Sequence, residues 1–108
     1  MPKTLGQRID DAVSALAGTE YCQVIGNCKR GLSDEPGLSR EERRLLGAAF
    51  GSIESRLQSP SGRVVDLRQL ITDVSCKVLD KALMLKFRLC GMIESEAIHQ
   101  KRLAEAVV

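Results

Sequence analysis

The chain has no Trp, one Tyr (Tyr21), two Phe (Phe50 and Phe87), three Pro and one His in 108 residues. So few rings oblige the core to come from Leu, Ile, Val, Ala and Met, which suit interdigitating helices, and most polar positions carry good helix formers. The same shortage leaves almost nothing on which nucleic-acid bases could stack. No sign of charge is in excess either. Sixteen basic against fourteen acidic residues give +2, without the concentrated basic surplus usual in nucleic-acid binders. No hydrophobic run approaches the ~20 residues that span a bilayer, and the opening MPKTLGQRIDD is charged from Lys3 onward with no signal core. A cytoplasmic protein without membrane segments is the expectation.

Catalytic signatures are missing as well. No G-x-S-x-G, P-loop or G-x-G-x-x-G is found. The only histidine, His99, has Gln100, Lys101 and Arg102 beside it rather than a partner acid or nucleophile. The paired carboxylates Asp10–Asp11, Asp34–Glu35 and Glu41–Glu42 sit at helix starts or turns, where acids serve structure. No catalytic residue, cofactor or metal site is predicted, and the chain is not read as an enzyme.

Four cysteines do not form a framework by sequence spacing. Cys22 and Cys28 on one helix would point about 120° apart. Cys76 and Cys90 on one helix would stand roughly 21 Å apart, far beyond the ~7 Å that a disulfide tolerates between Cα atoms. There is no C-x2-C or H-x3-H spacing for zinc. Pairing of Cys22 with Cys76 or Cys90 through the fold stays open. All four are read as reduced, buried small hydrophobes.

What is present is helical punctuation. Thr4 with Gln7 makes a capping box for a helix over 5–17, with Leu5, Ile9, Ala12, Val13 and Leu16 as its core stripe. Gly18 stops it, and Thr19 is placed to cap a short helix over 20–30, ended by Gly31. Residues 31–38, GLSDEPGL, read as a surface connection. Ser39 with Glu42 opens a helix to about Gln58, in which Gly47, Ala48 and Gly51 invite close helix approach. SPSG at 59–62 is a break, and 63–65 read as extended.

The plan of the chain then shows in Asp66–Cys90, DLRQLITDVSCKVLDKALMLKFRLC. It holds no Gly or Pro and opens with a third plausible box, Asp66 and Gln69. On a helical wheel Asp66, Asp73, Lys77, Asp80, Lys81 and Arg88 form one narrow polar stripe, and apolar residues cover most of the rest. A helix apolar around that much of its circumference needs other helices about it. Gly91 leaves open a 40-residue rod or a helical hairpin with the helix-friendly 94–106. The expected fold is all-α: four or five helices bundled around a long central helix at about 66–90, as a homodimer.

Function follows from surplus apolar surface near 83–93, where Met84 falls within the polar stripe itself. Leu83, Leu85, Phe87, Leu89, Met92 and Ile93 are predicted to anchor a partner protein or a second copy. The expected role is a small interaction module: an adaptor, an anti-activator sequestering a transcription factor, or a secretion chaperone, acting by helix-in-groove occlusion. The alternative is a dimeric binder of double-stranded nucleic acid, contacting phosphates through Lys77, Lys81 and Arg88. Against it, Asp73 and Asp80 sit at helical pairing distances from Lys77, as on a solvated face.

Two short stretches resemble known families. LSREERRLLGAAF (38–50) is similar to a helix start of 14-3-3 proteins over about one-eighth of the chain. That resemblance implies a capped amphipathic helix; no phosphopeptide-binding set of basic residues plus Tyr is matched, so no function is carried over. RIDDAVSALAG resembles part of the small helical silencing suppressors of nodaviruses, which supports the nucleic-acid alternative without assigning residues.

Overall fold

The three capping sites divide the chain as the sequence suggests, and the fold departs from expectation at its centre. A computed structural model describes residues 2–58 and 66–106. Its helices are α1 (Leu5–Leu16), α2 (Tyr21–Arg30), α3 (Arg40–Leu57), α4 (Leu67–Val78) and α5 (Leu83–Ala106), with a 3-10 turn at Gly31–Asp34. There is no strand among the described residues. The SPSG break and the extended reading of 63–65 lie outside them.

At the start of α1, the Thr4 hydroxyl accepts from Gln7 N at 3.2 Å, and the Gln7 side chain accepts from Thr4 N at 2.8 Å. Ser39 and Glu42 repeat the exchange at α3, at 3.1 and 2.8 Å. Each box satisfies two amides that a helix start otherwise leaves unpaired. Asp66 caps α4 in one direction only: it accepts from Gln69 N at 3.1 Å, while the Gln69 amide turns forward to Asp73. Gly18 leaves α1 with φ of 81°, the left-handed conformation a side chain resists. Thr19 does not cap α2. Its hydroxyl donates back to Leu16 O at 2.6 Å, and Glu20 holds the N-cap place without a side-chain bond. The connection after α2 is partly inside, since Leu32 is buried in the 3-10 turn.

The continuous helix over 66–90 does not form. α4 ends at Val78, and Leu79 to Ala82 turn the chain before α5 begins. Asp80 takes φ of 40° there, a conformation Asp tolerates better than most side chains. α5 then runs unbroken through Gly91. Packing decides the break, because one straight rod could not lay both Leu70, Ile71 and Val74 and also Leu85, Leu89 and Ile93 on the same small body. All six are buried.

α5 packs chiefly on α1 and then on α2, whereas α4 packs on α3 and α1, and α3 also meets α2. Phe50 is fully buried, with Leu46 and Ile53 on α3, Val24 and Ile25 on α2, and Ile9 and Leu16 on α1. Tyr21, at the start of α2, is half-buried against this core. The small residues of α3 are not tightly pressed: a side chain at Gly47 would meet Leu32 at 3.7 Å, an ordinary contact. Ion pairs tie the elements at the rim, Arg68–Asp10 at 2.6 Å, Arg56–Asp73 at 3.5 Å and Lys29–Glu54 at 3.6 Å. These are partly exposed, so each contributes ~1 kcal/mol or less. Asp73 therefore pairs with Arg56 and Gln69 rather than with Lys77.

Candidate functional site

One face of α5 carries Met84, Phe87, Arg88, Gly91, Met92 and Ser95, spaced at i, i+3, i+4, i+7, i+8 and i+11. α2 contributes Asn27 and Cys28, the 3-10 turn and its exit contribute Gly31 and Glu35, and α1 contributes Arg8. Together they line an open groove of about 620 Å³. Its apolar surface comes from Met84, 79% exposed, and the half-buried Phe87 and Met92.

Charged groups of both signs frame it. Arg88 Nη1 donates to Glu35 Oε1 at 2.7 Å, fastening α5 to the exit of the 3-10 turn. Glu96 Oε2 accepts from Asn27 Nδ2 at 3.2 Å and from Gln100 Nε2 at 2.9 Å, fastening α5 to α2. Arg8 lies over Gly91, where an added Cβ would stand 3.1 Å from its Nη2. Gly91 is thus a landing place for a guanidinium, not a helix stop. Arg8 Nε and Glu94 Oε2 are buried without a hydrogen-bond partner among the described residues.

Cys28 is not a ready nucleophile. Burial first, then the Glu96 and Glu35 carboxylates, push the Cys28 thiol up to about 12, so it is protonated near neutral pH. Its Sγ lies 3.5 Å from Met92 O as a donor. Among the described residues, no three His, Cys, Asp or Glu converge as a metal cluster would require. No helix among them is long and apolar enough to cross a membrane. The groove is mixed in character, an apolar strip of Met84, Phe87 and Met92 set among charged and polar groups, and such a surface can receive side chains of a second polypeptide.

The predicted anchors separate into two groups. Leu83 is 54% exposed, and Phe87 and Met92 reach the groove. Leu85, Leu89 and Ile93 are at most 5% exposed and belong to the chain's own core. They recur every four residues along α5 with Ala97, which is the stripe that meets the rest of the body. The row Lys77, Lys81, Arg88 falls on α4, the link and α5 respectively, and Arg88 is held by Glu35. Of the cysteines, Cys28 and Cys90 are buried, but Cys22 and Cys76 are exposed, contrary to the reading of all four as core residues. Sequence reasoning missed Arg8, Asn27, Cys28 and Glu35 as groove residues. They lie 49 or more positions before Met84, and no spacing rule links them to it. Met84, an apolar residue in a polar stripe, was the visible signal.

Comparison with protein-family models, with curated proteins and with solved structures finds no match for this chain.

Proposed function

We propose that this chain is a small regulatory interaction protein that takes an amphipathic helix of a partner protein into the groove beside α5, masking that helix's apolar face. An anti-activator, an adaptor or a chaperone works in this way. The observation that carries the reading is Met84, 79% exposed at the groove lined by Phe87 and Met92. Methionine and a part-exposed aromatic adapt to varied apolar side chains, and a cluster of them on a surface marks a contact site. Leu83 extends the patch around α5. The nucleic-acid alternative has less behind it, because its three cations do not share one helix.

A photo-crosslinking residue in place of Met84, with a second chain carrying it at exposed Arg40 on α3, tests the proposal in the cells that make the protein. A discrete protein adduct from position 84, lost on Phe87→Asp and absent from position 40, is the expected result. Adducts to nucleic acid, or none specific to position 84, would remove the reading.

A further inference from the structure

The link between α4 and α5 carries residue types that disfavour a break. Asp80 follows the α4 C-cap Leu79 with φ of 40°, at the position where helices usually end on Gly. The Ala82 carbonyl accepts from Lys86 N at 3.1 Å as α5 opens, and an alanine there has no side chain with which to cap. Residues 78–84, VLDKALM, contain neither Gly nor Pro. Local preference is to continue as one helix.

Tertiary packing holds the bend. α5 is covered by α1 and α2, α4 by α3 and α1, and α4 and α5 share little beyond the link. Straightening the link therefore sacrifices almost no packing between them, but it strips α5 of its cover. A second copy of the chain presents the same cover.

We infer that this protein forms a homodimer by exchange of α5: residues 67–106 straighten into one helix about 60 Å long, and α5 of each copy packs on α1 and α2 of the other. Every contact of α5 is remade between copies, including Arg88 on Glu35 and Arg8 over Gly91. Straightening also relieves the left-handed Asp80. The groove survives the exchange, with its α5 face from one copy and its α2 wall from the other, so the dimer does not depend on what the groove binds.

Light scattering across a concentration series tests the exchange through Asp80. Asp80→Gly eases the bend and weakens the straight helix, and raises the dimer dissociation constant at least about tenfold. Asp80→Ala lowers it by a similar factor, since Ala resists φ above zero and favours helix. Circular dichroism confirms that both variants fold. A second measurement mixes a Glu35→Arg chain with an Arg88→Glu chain. Each alone sets like charges together, whereas exchange between the two restores both opposite-charge pairs. Native mass spectrometry then finds heterodimer above the statistical share. If wild type and Asp80→Ala both stay monomeric at the highest soluble concentration, the inference is overturned. A dimer indifferent to Asp80, or one showing no heterodimer excess, is a surface pair and overturns it equally.

Discussion

Arg8 Nη2 lies so close over Gly91 that a Cβ there would stand 3.1 Å from it, so a guanidinium of α1 rests on a glycine of α5, at a position where the sequence leaves continuation and interruption of the helix both open. Two effects compete at this position. Replacing Gly by Ala inside a helix gains ~1 kcal/mol, but the new methyl group displaces the guanidinium. Gly91→Ala in the wild-type background is expected to give less than that gain, and the full ~1 kcal/mol appears only when Arg8→Ala is also present. Urea denaturation of the four proteins in the cycle measures the coupling.

Core and groove residues of α5 should respond unequally to truncation. Leu89→Ala empties a fully buried site and costs ~2–5 kcal/mol. Met84→Ala, at a position 79% exposed, changes stability by less than ~0.5 kcal/mol. Thermal or chemical unfolding decides it, and a large loss at Met84 would mean that the groove is closed in solution.

Acid should loosen α3 from its start. The Ser39 amide and then its hydroxyl hold the Glu42 carboxyl below its ordinary value of 4.5, and the Arg44 side chain does the same for Glu41. A lowered folded-state pKa gives stability that is present above the unfolded value and lost as pH falls through the folded one. The thermal midpoint should therefore decline as pH drops below about 4.5. Glu42→Gln keeps an acceptor for Ser39 N without titrating, and its midpoint should depend less on pH. Ser39→Ala removes the other half of the box and costs ~1 kcal/mol at neutral pH.

Thiol reagents should divide the cysteines into two pairs. Cys22 and Cys76 are exposed and react at once; Cys28 and Cys90 are buried and react on unfolding. Burial raises the Cys28 thiol to about 12 and the Cys90 thiol to about 11, from 9.0. With folded values above the unfolded one, both favour the folded state fully below pH 9.0, and that contribution drains away as pH climbs toward 11 and 12. Timed labelling with an aromatic disulfide, with and without urea, counts the classes.

Local chemistry was legible and long-range choice was not. Thr4 with Gln7 and Ser39 with Glu42 announce two helices because each box closes over three residues. The turn at Asp80 has no such mark, since what bends the chain is the cover that α1 and α2 give to Leu85, Leu89 and Ile93. For the same reason Gly91 leaves rod and hairpin both open when only its own helix is considered; α5 runs through it, with Arg8 placed above it. At the groove, Met84, Phe87 and Met92 signal surplus apolar surface from their positions alone. The opposite wall, Asn27, Cys28 and Glu35, is set by how α2 lies along α5. The three cations Lys77, Lys81 and Arg88 do not share one helix, because α4 ends at Val78.

Tyr21, packed against the interior at the head of α2, is the chain's one phenol, and there is no indole to drain its excitation. Its ultraviolet emission is therefore a single-site optical gauge of how α2 seats on the core, needing no dye and no engineered probe. The same scarcity makes near-ultraviolet absorbance faint, so protein concentration is better measured at the peptide bond.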